Sequence, residues 1–332
     1  MKLALAGLCF VVGVSAAFPD TVPELLAAAS SVNPVYVSLG LDRELAELKL
    51  EKSRIEAKKE RDLLSAEATW IAALESQRKS LLEFCDAVID AVFDAAAAEV
   101  DVRVAALSEA AAAEDEASAG KQHERGLLSE EELANVGLKH RSARLSAEQA
   151  AWALEDARRQ LRSAAGLEWR ATLVPGEPDF ALPTDSVGWA GSDLGLRKAE
   201  IALRAASLDM AVLPGNAAPY DRRIAEAALK KAEMALEQAR QGSERSFRSA
   251  VQTLQSQKAA IALRRGETEL QRALLADAER RYQRGVIARG DRDQQQVRVW
   301  TAEKAHLQAV RGYLRSLVSY LVSAGADPRE AL

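Results

Sequence analysis

Two copies of one pattern, laid end to end, constrain this chain more than any other feature. Arg125-Gly126-Leu127-Leu128 recurs as Arg284-Gly285-Val286-Ile287, and each copy leads into a helical run that closes on Ala-Gly, at Ala165-Gly166 and Ala324-Gly325. Position 285 lies 159 residues after 126, and 325 lies 159 after 166. Upstream, Gly40-Leu41-Asp42-Arg43 answers to Gly195-Leu196-Arg197-Lys198 at an offset of 155. A long fixed offset marks one supersecondary unit duplicated in tandem. The division that follows is a first repeat at 18–168, a linker at 169–192 carrying Pro175, Gly176, Pro178, Pro183 and Gly188, a second repeat at 193–325, and a tail at 326–332. Clustered Pro and Gly are the punctuation expected between units.

Each repeat reads as helix almost throughout. Aromatic residues are only 5% of the chain and Pro only 9 of 332 residues, while Ala, Leu, Glu, Arg and Gln abound, which suits long helices better than sheets. In the second repeat a helix from Leu194 to Val212 ends at Leu213-Pro214-Gly215-Asn216, and a second runs without proline from about Arg222 to Tyr282. Phe247, Val251, Leu254 and Ile261 form a narrow apolar stripe on it. A third helix, from about Arg292 to Ser323, sets Leu307, Val310, Leu314, Leu317 and Leu321 on three-four spacing. Seams this narrow on rods this long call for antiparallel packing against a neighbour. The first repeat follows the same plan: a short helix from Thr21 to Ser30, then Leu41 to Lys59, a long run from Arg61 to Ala119, and Glu130 to Ala164. Whether the chain bends near Glu60 is undecided by pattern. The fold class is all-α: duplicated long antiparallel helical hairpins in a coiled-coil barrel or bundle.

The first residues carry an address. Met1-Lys2, an apolar run from Leu3 to Val14, and Ser15-Ala16-Ala17 form a secretory signal peptide at 1–17. A dozen apolar residues fall short of the ~20 needed to span a bilayer. Export places the mature chain in the periplasm or at the outer membrane and leaves Cys85 as its one thiol, in an apolar helical stretch that suits a buried structural cysteine.

Little in the chain suggests catalysis. His123, His140 and His306 lack metal-ligand spacing, and no phosphate- or dinucleotide-binding glycine pattern occurs. Neither an enzyme activity, a cofactor nor a metal is expected. With Lys+Arg 44 against Asp+Glu 49, the net charge of −5 gives no electrostatic case for nucleic acid. Trp70, Trp152 and Trp300 lie within helices, where packing between helices is the expected use.

The phrase Arg281-Tyr282-Gln283-Arg284-Gly285-Val286-Ile287, followed by Asp291, an amphipathic helix and Tyr320-Leu321 before Ala324-Gly325, resembles the last helix pair of the TolC-type outer-membrane efflux proteins. Asn33-Pro34 and the Asp193-Leu194…Arg197…Glu200 segment extend the resemblance over most of the mature chain. It implies a homotrimer whose helices form a tunnel, a periplasmic adaptor protein and an inner-membrane transporter as partners, and a role in efflux or type I secretion without chemistry of its own. It also implies that the helix tips, Gly126-Leu127-Leu128 and Gly285-Val286-Ile287, dock the adaptor; the bland reading of the same residues is a plain hairpin turn. Asp291, and Glu132 at the corresponding place in the first repeat, match acidic residues that ring the tunnel entrance in the family; a carboxylate complementing the helix dipole explains them equally. The family's membrane barrel requires a hairpin between helices of each repeat. Here the nine residues from Leu213 to Asp221 and the charged, helical run from Lys58 to Ala68 are too short or of the wrong pattern. The expectation is a barrel-less periplasmic duct or stalk, and the alternative a non-transporting coiled-coil scaffold or adaptor tethering envelope layers.

Overall fold

A computed structural model describes residues 22–57, 59–166, 168, 170, 180–183 and 186–331. The signal peptide expected at 1–17 lies outside the described residues, as do 169, 171–179, 184 and 185 of the linker. The described elements are all helices: α1 (Val22–Val32), α2 (Pro34–Glu56), α3 (Glu60–Glu124), α4 (Glu130–Ala165), α5 (Val187–Ser192), α6 (Leu194–Ala211), α7 (Pro219–Gln283), α8 (Arg289–Ser323) and α9 (Pro328–Ala331). No strand occurs among the described residues.

Local chemistry sets the breaks. Asn33 caps α2 by accepting a hydrogen bond from the Val35 amide, and Pro34 occupies the first helical position, where its missing N–H costs nothing. The chain leaves the helical path at Ala57 and resumes it after Lys59, so the uninterrupted pattern near Glu60 is two helices and not one. Between α6 and α7 lie only Val212–Ala218, with Pro219 opening α7. Neither junction has room for two membrane strands of about ten residues each.

The helices form one layer in which single rods alternate with stacked pairs. α3 and α7, 65 residues each, run about 100 Å at 1.5 Å per residue. α3 lies between α4 with α2 on one side and α8 with α6 on the other; α7 packs along α8 and α6. Each stack is pinned where its helices meet. The Asn33 side chain (Nδ2) donates to the carbonyl of Ala164, joining α2 to the end of α4, at 2.8 Å. Arg78 of α3 donates to the carbonyls of Ser192 and Ser323, at 2.8 and 3.3 Å, joining the approach to α6 to the end of α8. The apolar core sits around these joints, with Val88, Ile89, Val92, Leu161, Leu254, Ile261, Leu314 and Leu317 closed off from solvent. Trp189 of α5 packs on Phe247 and Tyr320, and α1 and α9 pair beside α4. Cys85 is buried in the same core, and burial pushes its thiol up to about 12, which keeps it protonated.

A ladder of ion pairs joins the two repeats across α3 and α8. Arg315 meets Asp86 at 3.0 Å, Arg311 meets Asp90 and Asp94 at 2.8 and 2.6 Å, and Lys304 meets Asp101 at 2.6 Å. The acids descend α3 as the bases climb α8, as antiparallel rods require. Burial works against the Arg311 charge, but its hydrogen bonds and the fields of Asp90 and Asp94 outweigh that and hold the guanidinium above its usual value.

Candidate functional site

The two hairpin tips are built alike. Gly126 and Gly285 adopt φ of 70° and 71°, a left-handed conformation that glycine takes without a β-carbon penalty. The amides of Gly126 and Leu127 donate to the carbonyls of His123 and Gln122, and those of Gly285 and Val286 to Tyr282 and Arg281. That crossed pair of bonds is the Schellman closure of a helix end. It turns the following residue outward, so Leu127 is 73% and Val286 63% exposed, while Leu128 and Ile287 are half-buried.

Glu132 and Asp291 open the returning helices. Glu132 accepts hydrogen bonds from the Ser129 amide and hydroxyl at 2.9 Å, and the Ser129 hydroxyl accepts from the Glu132 amide at 3.2 Å. These bonds hold the Glu132 carboxyl below its ordinary range. At the other tip the Ala288 amide donates to Asp291 at 3.3 Å, with no hydroxyl to reciprocate. Asp293, two residues past Asp291, is buried and held by Arg292 at 2.6 Å and Arg289 at 3.4 Å. Arg289 also pairs with Glu114 of α3, tying the second tip to the first hairpin. An acid in the first turns of a helix with one arginine four residues before it and another beside it is the sequence signal that would have found it.

The larger feature is the pair of open edges. Sixteen of the twenty large apolar side chains left exposed among the described residues lie on α2, α4 and α7, and all but Val35 and Tyr282 fall in single stripes. On α7 they are Tyr220, Ile224, Met234, Leu263, Leu270 and Leu274, which at 3.6 residues per turn fall within about 80° of arc. The buried Leu236, Phe247, Leu254 and Ile261 point the opposite way, roughly half a turn round. On α4 the exposed residues are Leu138, Leu145 and Trp152, seven apart, against buried Leu154, Ala157 and Leu161. On α2 they are Val37, Leu41, Leu45, Leu48 and Ile55, against buried Leu39 and Leu50. Trp152, expected to pack between helices of the chain, is 65% exposed on this edge. An edge helix with two opposed apolar faces has a neighbour on one side only.

No helix among the described residues is long and apolar enough to cross a membrane, and no group of three or more His, Cys, Asp or Glu among them is arranged to hold a metal ion. An open groove of about 980 Å³ between α3, α7 and α8 is lined chiefly by glycine and hydroxyl residues such as Ser246, Thr253, Gly312 and Ser319.

No protein-family model matches the chain, and no curated protein matches it. Solved structures do match in fold. The chain is similar to the CmeC outer membrane channel of Campylobacter jejuni, at 11% identity and a TM-score of 0.57 over 92% of this chain and 85% of that one. It is similar to a membrane protein from Pseudomonas aeruginosa, at 15% identity and a TM-score of 0.59 over 94% and 92%, and to CusC, whose structures concern transmembrane channel formation, at 14% and 0.59 over 93% of each chain. The chain therefore has the helical fold of the TolC-type outer-membrane channels. Its described residues reproduce the helical part of that fold and contain no barrel strand.

Proposed function

We propose that the protein is a TolC-like helical duct or stalk: a homotrimer in the periplasm or associated with the outer membrane, working with a periplasmic adaptor and an inner-membrane transporter in efflux or type I secretion. It carries no chemistry of its own in this reading. The observation that carries it is the pair of apolar edges. The α2–α4 edge and the α7 edge are different surfaces on opposite sides of one layer, so a contact between copies is head-to-tail, and a head-to-tail contact closes into a ring when the rotation permits. The fold shared with outer-membrane channels supports the same conclusion.

Within such a ring the six tips lie at one end. Leu127 and Val286 supply the apolar docking contacts for the adaptor, with Leu128 and Ile287 behind them. Glu132 and Asp291 cap their helices and at the same time set six carboxylates around the opening, a collar that favours cations and repels anions. The short junctions at the opposite end favour a second reading, a scaffold that tethers envelope layers without transport, because the described chain offers nothing to line a passage through a bilayer.

Sedimentation of the purified mature protein tests the ring. The expected mass is three times that of the chain, and Leu145→Glu combined with Leu270→Glu gives a helical monomer. A wild-type monomer at micromolar concentration removes the duct.

A further inference from the structure

The edges also contain a statement about register. The exposed stripe of α4 steps back from Leu138 by one heptad to Glu131, and that of α7 steps forward from Leu274 by one heptad to Arg281. Glu131 stands five residues after Gly126 and Arg281 four residues before Gly285. Both are exposed, and neither has an ion-pair partner among the described residues, whereas neighbouring Arg280, Arg289 and Arg292 pair with Asp277, Glu114 and Asp293.

We propose that Glu131 of one copy forms an ion pair with Arg281 of the next, setting the register in which α7 lies against α4. This rests on the ring reading above and names the surface that reading needs. In this register the remaining contacts agree. Leu138, twelve residues from Gly126, falls level with Leu274, eleven from Gly285. Trp152, twenty-six residues from Gly126, falls level with the exposed Ala259 and Ala260, whose small side chains leave room for the indole. A slip of one heptad in one direction sets Glu131 against Leu274, and in the other sets Arg281 against Leu138; either buries a charge on leucine without a partner. Flanking charges select register in this way in coiled coils.

Charge reversal tests the pair. Glu131→Arg and Arg281→Glu, alone and together, are compared with wild type by mass photometry across a concentration series at low salt, with circular dichroism to verify folding. Each single reversal should raise the concentration for half-assembly by about tenfold, since several exposed pairs per ring each contribute a factor of a few. The double reversal should return to within about threefold of wild type, and the difference should shrink in 1 M salt as surface charges are screened. If the wild type assembles but the singles are unaffected, or the double is no better than the singles, the pairing is wrong and the ring stands. If the wild type does not assemble, both fall.

Discussion

At the tips, adjacent residues have different work. Leu127 and Val286 follow a left-handed glycine and project into solvent, while Leu128 and Ile287 are half-buried. Paired serine substitutions separate the two positions. Leu127→Ser with Val286→Ser removes little buried surface and should leave the melting temperature nearly unchanged while abolishing adaptor capture in a pull-down. Leu128→Ser with Ile287→Ser should lower stability by about 1–2 kcal/mol through lost apolar burial. If the first pair costs as much stability as the second, the tips are packed and not presented. Both glycines and both apolar pairs were legible in the sequence because a repeat prints the same turn twice. Which member of each pair faces outward was not, since that depends on the closure geometry and not on residue type.

At the scale of elements, Pro214 marks a stop by lacking an amide, and the Leu314-Leu317-Leu321 seam is buried where its spacing placed it. The starts were less legible: α2 and α7 begin at Pro34 and Pro219, ahead of the Leu41 and Arg222 that the pattern suggested, because proline fits the first helical turn. The break between Glu56 and Glu60 was not legible, because no proline or glycine marks it. Nor was the second face of the edge helices. Leu41, Leu48 and Ile55 look like core by spacing, and only the absence of a neighbour in the folded chain shows them to be an unfilled seam. The seam and the ion-pair ladder should respond differently to mutation. Leu314→Ala, at a site closed to solvent, should cost about 2–5 kcal/mol in urea titrations followed by helical ellipticity, at any ionic strength. Arg311→Met leaves Asp90 and Asp94 without their partner at a partly exposed site; it should cost about 1 kcal/mol, less at high salt. An equal, salt-independent loss in both variants would mean that the ladder acts by packing alone.

At the scale of the molecule, one layer with two unlike apolar edges accounts for the features that a monomer leaves unexplained: a 65-residue rod, α7, with one flank bare, a tryptophan in solvent, and unpaired charges where the stripes end. The barrel that completes the fold in membrane channels has no counterpart in the short junctions between α2 and α3 and between α6 and α7, so the proposed ring would be a helical cylinder with tips at one end and short turns at the other. Hollow or solid is then the decisive question, and it separates the duct from the scaffold. Electron microscopy of the purified mature protein answers it. The account predicts end-on class averages with three-fold symmetry around an open centre and side views about 100 Å long, the span of α3 and α7 at 1.5 Å per residue. Solid rods without a central opening, or single helical layers at concentrations where the protein is folded, would contradict it.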